Sequence, residues 1–119
     1  MPELQTYEGK CHCGKVRTEV KANLDKVMAC NCSICSVRAH LLTFVTAENF
    51  RQLAGEDAMT DYQFNKHNIH HLFCATCGVA SFGWGIGKGG EKMYSVNVRC
   101  LLGVDVSKLE VTHVDGKHF

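Results

Sequence analysis

The sequence predicts a mainly β fold with one or two short helical turns. Several short stretches alternate apolar and polar residues with a period of two, which is typical of half-buried strands. No stretch of about 11 residues or more shows sustained helical periodicity. The 119 residues match the usual size of one domain, and no linker or low-complexity stretch interrupts them. We therefore expect a single domain over residues 1–119.

The first half of the chain holds three predicted strands. Residues 15–20 (KVRTEV) alternate apolar and charged side chains, residues 27–30 lead into a cluster of cysteines, and residues 41–46 (LLTFVT) are apolar and β-branched. These compositions favour strands over helices. Residues 47–53 are predicted to hold one helical turn, and residues 59–65 (MTDYQFN) alternate again.

The second half of the chain is predicted to contain a hairpin, a loop, a strand and a short helix. Residues 69–73 and 79–84 flank a close pair of cysteines and predict a hairpin around it. Residues 83–90 (GWGIGKGG) contain five glycines, so a flexible loop is expected there. Residues 93–100 (MYSVNVRC) predict a strand, and residues 105–109 a short helix.

Composition narrows the class of protein. Apolar residues make up 45 % and charged residues 21 %, as in ordinary soluble domains. The net charge of +1, with scattered Lys and Arg, disfavours a nucleic-acid footprint. No apolar run approaches the roughly 20 residues of a membrane span, and residues 1–10 lack the apolar core of a signal peptide. These features predict a cytoplasmic protein that binds neither membrane nor nucleic acid.

The cysteines are the most informative residues. There are eight, at positions 11, 13, 30, 32, 35, 74, 77 and 100. Clustered thiols in a chain without an export signal favour metal binding over disulfides. The repeated close spacings, Cys-x-Cys and Cys-x-x-Cys, place two sulfurs near enough to share one ion, which is the pattern of zinc sites.

Two of the close pairs share a following glycine, in Cys11-His12-Cys13-Gly14 and Cys74-Ala75-Thr76-Cys77-Gly78. Such a glycine lets the chain turn tightly, so that backbone N–H groups can point at a bound sulfur. Together the pairs make the four-cysteine group: Cys11, Cys13, Cys74 and Cys77. Four thiolates satisfy tetrahedral zinc, which is the composition of a closed structural site.

The remaining cluster differs in number and surroundings. Cys30, Cys32 and Cys35, hereafter the three-cysteine group, have no following glycine. Three protein ligands leave one tetrahedral position for water or substrate, which is the composition of a catalytic zinc. The three-cysteine group is therefore the candidate for chemistry.

Alternatives remain at both groups. Cys32 and Cys35 could instead join Cys74 and Cys77 in a zinc-ribbon-like site. A fourth ligand could close the three-cysteine group and make it structural. The candidates for that ligand are Cys100, His40, His70 and His71. His70 and His71 are adjacent on a predicted strand, so their side chains should point to opposite faces.

These motifs resemble the glutathione-dependent formaldehyde-activating enzyme family, which also includes centromere protein V. The resemblance is carried by GKCHCG at residues 9–14, CNCSIC at 30–35, FCATCG at 73–78, VNVRCL at 96–101 and DGK at 115–117. It implies a β-tent fold, shared with small zinc-binding Rab chaperones and type B methionine sulfoxide reductases. It also implies a structural zinc on the four-cysteine group and a second, catalytic zinc on the three-cysteine group.

The resemblance implies a carbon–sulfur lyase that joins glutathione and formaldehyde into S-hydroxymethylglutathione, with Cys30, Cys32 and Cys35 as the catalytic residues. His40, His70 or Arg38 could supply a proton or bind the glutathione carboxylates. One alternative is a non-catalytic zinc module that binds a partner protein. Another is a methionine sulfoxide reductase, which would need Cys100 exposed with a lowered pKa.

Overall fold

The computed structural model describes residues 4–64, 69–87 and 89–115. In these ranges the chain is mainly β, as predicted, with one six-residue helix and three single 3₁₀ turns. The strands are β1 Gln5–Lys10, β2 Arg17–Ala22, β3 Val27–Cys30, β4 Leu42–Thr46, β5 Phe50–Ala54, β6 Met59–Tyr62, β7 Ile69–Cys74, β8 Phe82–Ile86, β9 Lys92–Asn97 and β10 Val111–Val114. The helix is α1 Ser33–Arg38, and the 3₁₀ turns are Ala47–Asn49, Val98–Cys100 and Val106–Lys108. No helix in the described ranges is long and apolar enough to cross a membrane.

The strands form two sheets. The smaller sheet has the order β1-β2-β5, and its pairs are antiparallel. The larger sheet has the order β10-β3-β4-β9-β8-β7-β6, in which β10 runs parallel to β3 and the other pairs are antiparallel. Sequence neighbours therefore pair in β6-β7-β8-β9, which places the two cysteines of the hairpin turn between adjacent strands.

The main core joins the two sheets. Val20 of β2 packs in one buried cluster with Val45 of β4 and Val96 of β9. Phe50 of β5 stacks on Tyr94 of β9, with ring centroids 3.9 Å apart. Because strand side chains alternate between faces, the residues between these core positions point to the opposite face of the larger sheet. That opposite face forms the wall of a cleft.

The strand predictions for residues 15–20, 27–30 and 41–46 are confirmed to within two residues. The hairpin of β7 and β8 is also confirmed, although β8 begins at Phe82, three residues later than predicted. The prediction of one helical turn over residues 47–53 is confirmed only for Ala47–Asn49, because Phe50 begins β5 instead. Phe50 is drawn into the core by its aromatic neighbours, and this packing overrides the local pattern.

The prediction of a loop over residues 83–90 is wrong in its first half, because β8 continues to Ile86. Its glycines alternate with large side chains, so the stretch keeps the period of a strand. Gly83 lies so close to β7 that a Cβ atom there would stand 2.6 Å from the carbonyl oxygen of His70. The glycine thus allows close strand packing at this point. Residue 88 of this segment lies outside the described residues.

Three further boundaries differ from the sequence prediction. The strand predicted over residues 93–100 ends at Asn97, whose side chain accepts a hydrogen bond from the N–H of Arg99 (3.1 Å) and caps a 3₁₀ turn. The helix predicted over 105–109 is one 3₁₀ turn capped by Asp105. The strand predicted over 59–65 ends at Tyr62, and residue 65 lies outside the described residues, as do residues 116 and 117.

Candidate metal centres and their cleft

The four-cysteine group assembles from two distant parts of the chain. Cys11 and Cys13 directly follow β1, Cys74 ends β7, and Cys77 lies in the turn before β8. Their four sulfur atoms all lie within 4.8 Å of one another. The sulfur of Cys13 is 3.6 Å from that of Cys11 and 3.6 Å from that of Cys74. A tetrahedron with zinc–sulfur bonds of about 2.3 Å has edges of roughly 3.8 Å, so the geometry fits zinc.

Backbone N–H groups surround these sulfurs. The N–H of Val16 donates to the sulfur of Cys11 at 3.3 Å. The N–H groups of Cys13 and Val79 donate to the sulfur of Cys77 and lower its pKa to about 6. Hydrogen bonds to the charged form favour thiolate over thiol. At Cys13 the N–H of Lys15 lowers the pKa, but burial and hydrogen bonds with the other three sulfurs raise it overall to about 11. A bound cation would favour thiolate at all four sulfurs.

The two glycines that follow the pairs adopt the predicted tight turns. Gly14 has φ of +83° and Gly78 has φ of +80°, a region that side chains with a Cβ atom rarely enter. The N–H of Gly78 donates to the carbonyl oxygen of Cys74 at 2.8 Å, and the N–H of Gly14 donates to that of Cys11 at 3.3 Å. The turns are thus built alike on both sides of the site.

The three-cysteine group lies at a strand-to-helix junction. Cys30 ends β3, Cys32 is the N-cap residue of α1, and Cys35 lies within the helix. Residues three apart in a helix face the same way, so the junction brings Cys32 and Cys35 together beside Cys30. The three sulfur atoms all lie within 4.8 Å of one another, and each cysteine is partly buried.

The pKa values of Cys32 and Cys35 are shifted in opposite directions. Burial opposes the ionisation of Cys32, but hydrogen bonds, first from the N–H of Cys35, lower its pKa overall. Burial raises the pKa of Cys35 to about 12, with further contributions from the hydrogen bond to Cys32 and from negative charge on Cys32 and Cys30. A soft divalent cation would remove this repulsion, so the donor set fits zinc.

The structure brings the predicted residues together as two separate groups of four and three. The zinc-ribbon-like combination of Cys32 and Cys35 with Cys74 and Cys77 is not the grouping it forms. Among the residues that the structure describes, no histidine, cysteine, aspartate or glutamate joins the three-cysteine group as a fourth member. Within those residues, one tetrahedral position of a bound ion would stay open.

The three-cysteine group opens onto a cleft of about 740 Å³. This volume lies within the range of about 300–1,000 Å³ typical of small-molecule sites. Its polar wall comprises Arg38, His40, His71, Ser95 and Asn97, and its larger apolar side chains are Met28, Ile34, Leu42, Phe44, Phe64, Ile69 and Phe82. The four-cysteine group takes no part in this wall.

Strand register explains which side chains reach the cleft. Phe44 of β4, Ser95 of β9, Gly83 of β8 and His71 of β7 stand opposite one another in one row across the larger sheet. Opposite residues in a sheet share a face. The glycine in this row leaves room between the larger side chains. Part of the cleft wall therefore lies on β8, where a loop was expected from sequence.

The two adjacent histidines point to opposite faces, as predicted. His71 faces the cleft and stacks on Phe64, with ring centroids 5.1 Å apart. The Nδ1 atom of His70 lies 2.6 Å from a carboxylate oxygen of Asp61, and its ring stacks on Trp84 at 3.8 Å. His70 is therefore removed from the cleft and from both cysteine groups.

His40 is the second histidine of the cleft wall. Burial, followed by the positive charges of Arg38 and His71, lowers the pKa of His40 to about 4. Its imidazole is consequently neutral at pH 7. A neutral imidazole can accept a proton at one ring nitrogen and donate one at the other.

Cys100 belongs to neither cysteine group. Its side chain is buried, with 9 % exposed, and burial raises the pKa of its thiol. Both properties match a small core residue and disfavour a nucleophile. They argue against the methionine sulfoxide reductase hypothesis.

A known protein family matches most of this chain, including both cysteine groups. Residues 6–110 match the family model described as glutathione-dependent formaldehyde-activating enzyme. This chain belongs to that family. The formaldehyde-activating family was predicted from the cysteine motifs, and the match covers all eight cysteines.

A solved structure with a similar fold comes from Rhodobacter sphaeroides. Its crystal structure matches this family member with a TM-score of 0.76 and 30 % sequence identity. The match covers 88 % of this chain and 99 % of the Rhodobacter chain. The mainly β architecture is thus shared over nearly the whole length of both proteins.

Sequence reasoning missed most of the cleft. Ser95, Asn97, Phe44 and Phe64 were not singled out, although the alternation in the strands that carry Phe44 and Ser95 contained the signal. Placing them in one site requires the pairing of β4 with β9, and no local pattern reveals which strands become neighbours.

Proposed function

We propose that this chain is a zinc-dependent carbon–sulfur lyase-type enzyme that acts on a thiol adduct. Formation of S-hydroxymethylglutathione from glutathione and formaldehyde is the reference reaction, as the family suggests. The observation that carries the proposal is the position of three clustered thiols at the wall of a ligand-sized cleft. A structural site needs no such access to a small molecule.

The two groups have different roles in this proposal. Cys11, Cys13, Cys74 and Cys77 hold a structural zinc that joins the N-terminal strand to the β7–β8 hairpin. The three-cysteine group holds a second zinc and is the catalytic set: Cys30, Cys32 and Cys35. A zinc ion there would supply Lewis acidity and would favour the thiolate form of a substrate thiol. Free thiols in this number suit a reducing compartment such as the cytoplasm.

The reaction is an addition without a change of redox state. The thiol sulfur forms a bond to the carbonyl carbon, the π electrons of the carbonyl move to its oxygen, and the thiol proton ends on that oxygen. His40 and His71 are the cleft histidines that can carry the proton. Arg38 can pair with a carboxylate of the substrate through its planar guanidinium. The apolar wall limits water around the reacting atoms.

The direct test is the rate at which the protein interconverts free thiol and hydroxymethyl adduct, measured by exchange NMR with glutathione and formaldehyde. Cys32→Ser removes one sulfur of the three-cysteine group. We expect it to slow the catalysed exchange at least a hundredfold while the four-cysteine group stays intact. Ser36→Ala, on the same helix, is the matched control and should keep the wild-type rate. Full activity in Cys32→Ser would refute the role of the second zinc.

A zinc-binding interaction module is the second candidate function. It is favoured by Val37, which is 85 % exposed on α1 beside the three-cysteine group. An exposed valine at this place could contact a partner protein. In that case Val37→Ser would abolish the binding of a partner protein, and no thiol would be turned over in the exchange experiment.

A further inference from the structure

The outer part of the cleft has an aromatic and aliphatic wall. Phe44 and Ile69 both line it, yet they are 46 % and 51 % exposed. A ligand that covers half-exposed apolar side chains removes apolar surface from water, and this favours binding. The wall therefore favours a ligand that brings apolar surface of its own.

The aromatic surface continues from the cleft to its rim. Phe64 stacks on His71 in the cleft and on Tyr62 at the edge strand β6, with ring centroids 5.1 and 5.7 Å apart. Tyr62 is 50 % exposed. A row of stacked rings with an open end offers a contact surface for one more planar or bulky apolar group.

Apart from the three cysteines, few of the described residues that line the cleft are charged. Of the described residues that line it, Arg38 is the only lysine or arginine, and none is an aspartate or glutamate. One guanidinium can bind one carboxylate through two parallel hydrogen bonds. Glutathione carries two carboxylates, so the described wall offers a cationic side chain to only one of them.

The size of the cleft also exceeds what a one-carbon aldehyde needs. Formaldehyde adds a single hydroxymethyl group to a thiol, whereas the cleft measures about 740 Å³ and most of its larger side chains are apolar. Apolar volume left unfilled by a ligand contributes nothing to affinity. A bulkier adduct would use this space.

From these observations we propose that the cleft selects hemithioacetal-type adducts, R–S–CH(OH)–R′, with an apolar, aromatic-sized body and a single anionic group. This inference rests on the proposed function and specifies its substrate class. The bond that forms is between sulfur and the aldehyde carbon, and the thiol proton ends on the former carbonyl oxygen. Arg38 would bind the anionic group, and the wall around Phe44 would bind the apolar body.

The test is a binding measurement with thiols that differ in one feature. 2-Mercapto-3-phenylpropionate and 2-mercaptopropionate share a thiol and a carboxylate and differ by the phenyl group. Their dissociation constants, and that of glutathione, are measured by calorimetry on the zinc-loaded protein. We expect the phenyl compound to bind at least tenfold more tightly than either of the other two thiols.

Two variants locate the contacts. Phe44→Ala is expected to remove most of the tenfold preference for the phenyl compound, whereas Leu53→Ala should preserve it. Leu53 is the matched control because it is 43 % exposed on β5, in the other sheet. Arg38→Gln should weaken both mercaptocarboxylates about equally, by roughly tenfold. Melting temperatures of the variants show whether each remains folded.

The outcomes separate this inference from the proposed function. Equal binding of the two mercaptocarboxylates, or tightest binding of glutathione together with turnover of its formaldehyde adduct, overturns the inference and leaves the function standing. A failure of all three thiols to bind the zinc-loaded protein overturns both. A phenyl preference that survives Phe44→Ala in a folded protein also overturns the inference.

Discussion

The two cysteine groups use the same ligand atom in opposite settings. In the four-cysteine group, Cys11 and Cys74 are almost fully buried, Cys77 is partly buried and Cys13 is exposed. Its sulfurs receive hydrogen bonds from a backbone that turns at two glycines. In the three-cysteine group every cysteine is partly buried, and the sulfurs border a cleft of about 740 Å³. One group offers four sulfurs, enough to complete a tetrahedron, and the other offers three beside a cleft.

The proposed division into a structural and a reactive centre therefore rests on the number of sulfurs and on the adjoining cleft, since the ligand residue is cysteine in both groups. Four thiolates complete a tetrahedron and exclude a substrate, whereas three leave a position open. The surroundings agree with that division. Residues near the four-cysteine group stabilise thiolates through N–H groups, and those near the three-cysteine group add histidines, an arginine and an apolar wall.

The largest effect is expected from removing a ligand of the four-cysteine group. Structural zinc supplies roughly 10–16 kcal/mol of apparent binding free energy in small zinc domains. Cys74→Ser should therefore lower the free energy of unfolding by several kcal/mol and leave little folded protein, as measured by circular dichroism. Cys32→Ser should change the melting temperature by only a few degrees. Equal destabilisation by the two changes would contradict the division between the groups.

Zinc release should be strongly unequal between the two groups. A chelator can bind an ion at the open position of a three-thiolate site, whereas an ion with four thiolates must first lose one of them. With a coloured chelator we expect two phases of one equivalent each, separated at least tenfold in rate. Cys32→Ser should show the slow phase alone. A single phase of two equivalents in the wild type would show that the groups are not distinct.

Substitution of His40, in the cleft, should lower activity more than substitution of His70, on the other face of the sheet. His40→Gln is expected to lower kcat/KM for adduct formation about a hundredfold, at the lower end of the range typical of proton-transfer effects. His70→Gln is the control, because Asp61 and Trp84 hold His70 on the other face of the sheet. Equal activity of the two variants would remove His40 from the mechanism.

Burial of His40 should also make the free energy of unfolding depend on pH. The pKa of His40 is about 4 in the folded protein against an ordinary value of 6.5, so the unfolded chain binds more protons there between these values. The contribution of His40 to the free energy of unfolding is therefore fully present above pH 6.5 and is lost as the pH falls toward 4. Histidine ring signals in NMR should show His40 neutral down to about pH 4. A midpoint near 6.5 would contradict this burial.

The smallest effect is expected at the glycines that shape the four-cysteine group. Gly78 has φ of +80°, and a Cβ atom added there would meet no atom within 4 Å. The cost of Gly78→Ala is therefore backbone strain alone, about 1–2 kcal/mol, readable from denaturant unfolding. Zinc content should stay at the wild-type value. A loss of zinc would show that the turn itself, and not only its four sulfurs, determines binding.

The fold class and the two cysteine groups could be predicted because their signals are local. Spacing within each pair, and the glycine after it, are visible within six residues of sequence. Two of the elements that were missed lack such signals, and β10 (VTHV) was missed as well. Helix α1 has only six residues and no buried side chain, and β1 (QTYEGK) is mostly polar, so neither shows an apolar period.

The cleft could not be predicted because it depends on strand neighbours. His71 and Phe44 are 27 positions apart and meet on one face only through the pairing of β4, β9, β8 and β7. The glycines of β8 concealed that pairing, since glycine-rich sequence usually marks a loop. The alternation of apolar and polar residues predicts which side chains share a face of one strand, but it does not predict which strands are neighbours in the sheet.

The central claim is that the three-cysteine group binds a second zinc and presents it to a thiol in the cleft. Native mass spectrometry of freshly reduced protein, with and without a thiol ligand such as glutathione, tests it most directly. We predict two zinc ions per chain in the wild type, one in Cys32→Ser, and thiol bound only to the two-zinc form. Two zinc ions retained in Cys32→Ser, or thiol bound equally to the one-zinc form, would contradict the claim.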